Sequence, residues 1–123
     1  MKIEREEAAG LNQFTSYGDG WVAVGGERLT AGALVAARDL VTGWGPPSID
    51  RLESAHVEAI AALDPEVVLL GTGRAFRFPG PALLAPLHAR RIGVEVMDTR
   101  AACRTYNLLL AEGRRVVAAI IVD

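Results

Sequence analysis

The first candidate for a chemical role is the tripeptide Gly71-Thr72-Gly73, which directly follows the apolar run Val67-Val68-Leu69-Leu70. A glycine turn at the carboxyl end of a buried strand can bring backbone N–H groups close to an anion such as a phosphate. The dinucleotide-binding pattern also needs a third glycine at the position where this chain has Phe76, and no Gly-Lys-Ser/Thr of a phosphate-binding loop follows. Two interpretations therefore stay open: a plain tight turn, which the missing motif residues favour, and a ligand contact.

Asp98 and Thr99 form a second polar pair, between the apolar segment 93–97 and a helical pattern. If that segment is a strand beside residues 67–70, both turns meet in one crevice, where ligands of open α/β sheets bind. Asp and Thr are also common helix caps, because their side-chain oxygens accept hydrogen bonds from the first N–H groups of a helix. Capping is the simpler prediction for both residues, with a ligand contact as the alternative.

Arginine is concentrated between positions 74 and 104, where six arginines and two acidic residues give a local charge of +4 in a chain of net charge −2. The arginines are Arg74, Arg77, Arg90, Arg91, Arg100 and Arg104. Guanidinium groups beside two helix N-termini suit a phosphate, a carboxylate or an acidic partner surface. Arg90 and Arg91 instead close a predicted helix, where cations complement the helix dipole. Candidate recognition roles therefore fall to Arg74, Arg100 and Arg104, with solvated surface as the alternative.

Cys103 lies one turn into the last predicted helix, where the helix dipole could lower the pKa of a thiol. Neither His56 nor His88 adjoins it in sequence, and a lone helical cysteine is usually a small buried hydrophobe. One cysteine and two histidines are too few for an ordinary structural metal site. Asn107 interrupts an apolar stretch, and we predict that it bonds a neighbouring backbone, with a substrate contact as the alternative. We expect no catalytic residue, metal or cofactor.

The first half of the chain predicts short strands and one helix. Residues 21–24 and 27–30 flank Gly25-Gly26, a dipeptide that suits a tight hairpin turn. An extended segment at 33–41 leads into a proline-containing loop, in which Trp44 is either a core anchor or an exposed partner contact. Helical spacing predicts a helix from Ser48 or Asp50 to Leu63, with Asp50 and Glu53 as its cap pair. Residues 1–15 are predicted as a partly ordered lead-in with at most one short edge strand.

The second half alternates strands and helices. Strands are predicted at 67–70, 93–97 and 116–122, and helices at 82–91 and from Asp98 or Thr99 to Glu112. Such alternation is typical of parallel pairing with right-handed crossovers, although the short link at 113–115 leaves the direction of the last strand open. The predicted fold class is α/β with an N-terminal β-hairpin.

Length and composition bound the remaining possibilities. A chain of 123 residues with 50% hydrophobic residues suits one folded domain covering 1–123. A net charge of −2 gives no general attraction to nucleic acid, and no apolar run approaches the roughly 20 residues that span a bilayer. The acidic N-terminus MKIEREEAAG does not look like a signal peptide, so we expect a cytoplasmic protein that binds no nucleic acid and has no membrane span.

The segments VVLLGTG and GVEVMDTRAACRTYNLLLAEGRRVVAAI, with the upstream tryptophan and paired prolines, resemble the small Mth-like proteins of unknown function. Eukaryotic relatives of that family include a mitochondrial complex I assembly factor and an adipogenesis-associated protein. The resemblance implies a three-layer α/β domain with flanking helices and a mixed central sheet of about five strands, one antiparallel to the rest. It implies no established enzymatic activity. The matching residues, where a shared site would lie, are Gly71, Thr72, Gly73, Asp98, Thr99, Thr105 and Asn107.

Two functions remain. The first is a non-catalytic interaction or assembly-type factor that holds an unidentified protein partner on an arginine-rich, aromatic-edged surface. The alternative is a small-anion or nucleotide binder, conceivably an enzyme, in which Gly71, Thr72 and Gly73 supply backbone donors. Arg74, Arg100 or Arg104 would then supply the charge.

Overall fold

The computed structural model describes residues 10–123, which form two β-sheets and three α-helices. The strands are β1 Phe14–Gly18, β2 Trp21–Val24, β3 Glu27–Leu29, β4 Ala33–Ala36, β5 Leu40–Thr42, β6 Val67–Gly71, β7 Gly93–Met97 and β8 Val116–Ile120. The helices are α1 Ser54–Ala61, α2 Pro81–Ala89 and α3 Thr99–Ala111, and a 3₁₀ turn covers Ile49–Arg51.

Five strands form a mixed sheet in the order β5-β4-β8-β6-β7. Strands β6, β7 and β8 run parallel, and β4 is antiparallel to both β8 and β5. One strand, β4, therefore opposes the other four, as the family resemblance implies. The last strand, β8, whose direction the sequence left open, runs parallel to β6.

The sheet separates two apolar cores, which makes the domain three-layered. On one face, α1 and α2 pack over buried residues that include Leu34, Val68 and Leu70. On the other face, α3 and the small sheet cover residues that include Val35 and Leu69. Strands β6 and β8 are buried along their whole length, which explains why their sequences are continuously apolar.

The predicted hairpin forms strands β2 and β3 of a second sheet of three antiparallel strands, in the order β1-β2-β3. Its turn uses Gly25 and Gly26, whose φ angles of 57° and 86° explain the two glycines. Val22 and Val24 face inward and pack with Tyr106 of α3, so this sheet covers the helix. Of the predicted lead-in, residues 1–9 lie outside the described part of the chain, and β1 begins at Phe14.

Two predicted elements are divided in the structure. The extended segment 33–41 is a hairpin of β4 and β5, closed by a hydrogen bond from Ala36 N–H to Asp39 C=O of 2.9 Å. The helix predicted from Ser48 or Asp50 begins at Ser54, and Glu53 is its N-cap. Glu53 N–H donates to His56 Nδ1 at 2.9 Å, so the capping pair lies one turn later than predicted. The Asp50 cap prediction is wrong, because its carboxylate bonds Arg77 instead.

Trp44 is a core anchor. Its side chain is 5% exposed, and its indole Nε1 donates to His56 C=O at 3.1 Å. The loop that holds it approaches Gly32, where an added Cβ would meet Trp44 O and lie 2.8 Å from Ile120 O. Position 32 therefore needs glycine, because the backbones at Trp44 and Ile120 pass close to the start of β4.

Candidate functional site

The two predicted turns meet at the carboxyl edge of the parallel strands. Thr72 N–H donates to Met97 C=O, and Thr99 N–H donates to Gly73 C=O, both at 2.9 Å. The expected proximity of Gly71-Thr72-Gly73 to Asp98 and Thr99 is therefore confirmed.

The Thr99 hydroxyl ties this edge together. It accepts from Gly73 N–H at 2.8 Å and donates to Ile121 C=O at 2.7 Å, and the residue is 8% exposed. Gly71 allows this packing, because a Cβ there would lie 3.0 Å from the Thr99 Cα and hydroxyl. One buried hydroxyl thus joins the chain beyond β6, the start of α3 and the chain beyond β8.

Thr72 shapes the loop that follows β6. Its buried hydroxyl donates to Ala75 C=O at 2.6 Å and accepts from Arg77 N–H at 3.2 Å. Arg77 then forms an exposed ion pair with Asp50 at 2.8 Å. These bonds give Thr72 a structural role in the turn.

A carboxylate of the chain itself lies against the glycine turn. Arg74 N–H donates to Asp123 Oδ1 at 2.9 Å, and Arg74 Nε donates to Asp123 C=O at 3.3 Å. At Gly73, where φ is 96°, this carboxylate occupies the space that a Cβ would take. With the bonds described above, the N–H groups of Thr72, Gly73 and Arg74 all have partners inside the protein.

Asp98 and Asn107 also bond the chain itself. Asp98 Oδ1 accepts from Ala101 N–H at 2.9 Å, as the capping interpretation predicts. Asn107 accepts from Phe14 N–H at 2.9 Å and donates to Phe14 C=O at 2.7 Å, so it fastens the small sheet to α3. This is the backbone contact expected for Asn107, and it lies two turns along α3 from the crevice.

Arg100 and Arg104 project from α3 toward the small sheet. Arg100 bonds Asp19 at 2.7 Å, and Arg104 donates to the Tyr17 hydroxyl at 2.7 Å. This hydrogen bond raises the pKa of the Arg104 guanidinium. The two guanidinium carbons lie 5.7 and 6.0 Å from the centre of the Tyr17 ring.

A further arginine lies over a tryptophan on the same sheet, with Arg28 Cζ 3.9 Å from the centre of the Trp21 ring. We call Tyr17, Trp21, Arg28, Arg100 and Arg104 the arginine–aromatic surface. Sequence reasoning missed Tyr17, Trp21 and Arg28 as site residues. The hairpin could have revealed one pair, because a two-residue turn at Gly25-Gly26 places Arg28 diagonally across from Trp21.

A small open cleft of about 30 Å³ runs between the small sheet and the glycine turn. Tyr17, Trp21, Arg74, Arg100 and Asp123 are among the residues that line it. That volume suffices for about one water molecule and is far below that of ordinary ligand pockets, and the polar rim carries both arginines and a carboxylate. Farther along the same edge, Phe76 and Phe78 are 53% and 73% exposed, with ring centres 4.9 Å apart.

The Cys103 thiol is 1% exposed, and burial raises its pKa to about 12. A helix dipole would lower the pKa of the thiol, but burial outweighs it, so the thiol is protonated at neutral pH. Within residues 10–123, no group of three or more His, Cys, Asp or Glu side chains could hold a metal ion. No helix in this part of the chain is both long and apolar enough to cross a membrane.

Residues 14–121 match the model of a protein family described as "Protein of unknown function (DUF498/DUF598)". A mouse relative, named NADH dehydrogenase [ubiquinone] 1 alpha subcomplex assembly factor 3, is 33% identical over 98% of this chain and 64% of its own length. A Francisella tularensis relative, named 13 kDa major membrane protein, is 34% identical over 59% of each chain. The chain thus spans less than two thirds of these two relatives.

Solved structures give the same fold. A solution NMR structure of a Bordetella pertussis protein, described as a Mth938-like domain, has a TM-score of 0.83 and 34% sequence identity. The match covers 94% of this chain and 88% of that one. The resemblance to Mth-like domains is therefore confirmed.

Proposed function

Because the chain belongs to the DUF498/DUF598 family, for which no function is established, we propose its function from the site: it is a non-catalytic interaction or assembly-type factor. It holds a protein partner on the arginine–aromatic surface. The observations that carry this proposal are the stacking of Arg28 on Trp21 and the pair of arginines around Tyr17. They belong to one region because Tyr17, Trp21 and Arg100 line the same cleft.

Such a surface suits protein binding for a physical reason. Arginine, tyrosine and tryptophan supply the largest share of binding energy at protein interfaces. Stacked guanidinium groups lose less freedom on binding, because the aromatic ring already restricts them. Arg28, Arg100 and Arg104 are exposed, so their remaining N–H donors are available to acidic or carbonyl groups of a partner.

The glycine turn supports the anion-binding alternative less well. Its backbone donors are bonded to Met97, Thr99 and Asp123, and an anion would have to displace the Asp123 carboxylate from Arg74. Like-charge repulsion would add to that cost. A phosphate or nucleotide therefore has no free backbone cradle at this turn.

The name of the mouse relative agrees with the proposal at a coarse level. The mouse relative is named as an assembly factor, and assembly factors work through protein partners. The same kind of role for this chain is our proposal, since the chain spans 64% of that relative. Residence in the cytoplasm stays a prediction.

The test compares partner capture by matched variants. The purified protein, Arg100→Ala/Arg104→Ala and Arg38→Ala are cross-linked in native lysate, and the captured proteins are quantified. Arg38 is an exposed arginine in the turn between β4 and β5, near the start of β8, so its variant controls for the loss of one exposed arginine elsewhere on the protein. We expect a specific partner with the wild type and Arg38→Ala and a loss with the double variant. Equal capture by all three, or none above background, would overturn the proposal.

A further inference from the structure

Strand β7 is the last strand of the five-stranded sheet, and within residues 10–123 no backbone group bonds its outer side. It pairs with β6 alone among the strands that the structure describes. Gly93 N–H donates to Glu66 C=O, and Met97 C=O accepts from Thr72 N–H. Because the direction of backbone groups alternates along a strand, Gly93, Glu95 and Met97 bond β6. The N–H and C=O groups of Val94 and Val96 therefore point away from the sheet.

This edge has few of the features that usually protect one. Strand β7 contains no proline and no lysine, and its ladder with β6 runs in register from Gly93 to Met97 without a bulge. Gly93 and Glu95 are exposed, and Val94, Val96 and Met97 are half-buried, whereas β6 and β8 are completely buried. The opposite edge strand, β5, is only three residues long.

Glu95 is the one charged residue of β7, and it decides which strand can pair there. It forms no ion pair with any residue that the structure describes. If a second copy added its own β7 antiparallel, with Val94 and Val96 bonding both ways, the two Glu95 side chains would lie directly opposite each other. Opposed like charges destabilise a strand pair, whereas opposed unlike charges stabilise it. Glu95 therefore disfavours self-pairing and favours a strand with a basic residue at this position.

We propose that the outer edge of β7 binds an extended segment of a partner protein, antiparallel, with a basic residue opposite Glu95. Main-chain hydrogen bonds to Val94 and Val96 hold the segment, as in other cases of strand addition to a sheet edge. Apolar residues on either side of the basic residue pack beside the half-buried Val94 and Val96 side chains. This site goes beyond the function proposed above and does not depend on the arginine–aromatic surface.

The test uses two synthetic peptides, acetyl-Ser-Thr-Val-Lys-Val-Thr-Ser-amide and the same peptide with Glu in place of Lys. Each is titrated into isotope-labelled protein while amide chemical shifts are followed by NMR. The Lys peptide is expected to shift the Val94 and Val96 amides and to bind about threefold to thirtyfold more tightly than the Glu peptide.

Charge reversal makes the test specific. In Glu95→Lys, which changes an exposed side chain, the order of the two peptides should invert. Arg100→Ala, which weakens the arginine–aromatic surface, should leave both affinities unchanged, so the two proposals fail separately. No shift at Val94 and Val96 at millimolar peptide, or the same preference in Glu95→Lys, would overturn the proposal.

Discussion

Replacing Thr99 with valine tests whether its hydroxyl holds the carboxyl edge of the sheet together. Valine has nearly the same shape as threonine, so the substitution removes the hydroxyl and leaves the packing volume almost unchanged. Gly73 N–H would lose its acceptor at 2.8 Å, and Ile121 C=O would lose its donor at 2.7 Å. Both groups lie where the structure is buried, so water replaces the lost bonds poorly.

The expected loss follows from those two groups. An unsatisfied buried donor or acceptor costs about 1–3 kcal/mol, so the two groups together should lower the free energy of unfolding of Thr99→Val by about 2–6 kcal/mol. Thr99→Ser keeps the hydroxyl and loses one methyl group, which costs about 1 kcal/mol. For a domain of this size, each kcal/mol corresponds to roughly 3–5 °C in Tm.

Urea unfolding of the wild type and both variants, followed by circular dichroism, measures these differences. An unchanged m value would show that the comparison concerns the folded state. The serine variant should be closer to the wild type than the valine variant by at least about 1 kcal/mol. If Thr99→Val were as stable as Thr99→Ser, the hydroxyl bridge would contribute nothing, and our account of the Gly-Thr-Gly turn would be refuted.

Three further predictions concern other parts of the fold. Gly32→Ala should lower stability by about 1–3 kcal/mol in thermal unfolding, since its Cβ would meet two carbonyl oxygens. Gly93→Ala should have little effect, because the nearest atom to a Cβ there would be 3.6 Å away, an ordinary van der Waals contact. The Glu66 carboxylate accepts hydrogen bonds from Arg115 N–H and from the Arg114 side chain, and both bonds lower its pKa. Ionised Glu66 therefore stabilises the fold at neutral pH, and this stabilisation is lost as the pH falls through the lowered pKa. Urea unfolding should therefore show Glu66→Gln to be less stable than the wild type at neutral pH and nearly equal to it in strong acid, and a constant difference would contradict this. Because burial raises the pKa of the Cys103 thiol to about 12, the thiol should resist iodoacetamide in the folded protein and react after unfolding in urea. Reaction of the native thiol at the rate of a free cysteine would contradict its burial.

Local patterns in the sequence were enough to predict most of the elements. The apolar runs of β6, β7 and β8, the Gly25-Gly26 turn and the Asp98 cap each depend on residues close together in the chain. The division of 33–41 into β4 and β5 was missed because its turn has no glycine or proline to mark it. The late start of α1 was missed because Asp50 and Glu53 fit a capping pattern that the chain realises with Glu53 and His56.

The contacts of the site depend on residues far apart in sequence. Arg74 meets Asp123 across 49 positions, and Asn107 meets Phe14 across 93. No periodicity or spacing rule specifies such pairs, so the sequence could place the Gly71-Thr72-Gly73 turn at the sheet edge but could not show that its donors were already bonded. The arginine–aromatic surface has the same origin, since Tyr17 comes from β1 and Arg104 from α3.

The position of β8 has a consequence for synthesis of the protein. This strand pairs with β4 on one side and β6 on the other, and residues 116–120 follow every strand that they join. While the chain emerges from the ribosome, β4 and β6 therefore have no central strand between them, and both cores stay incomplete. The nascent chain exposes apolar strand edges until residues 116–120 have left the exit tunnel, which makes this interval the one in which a chaperone would matter most.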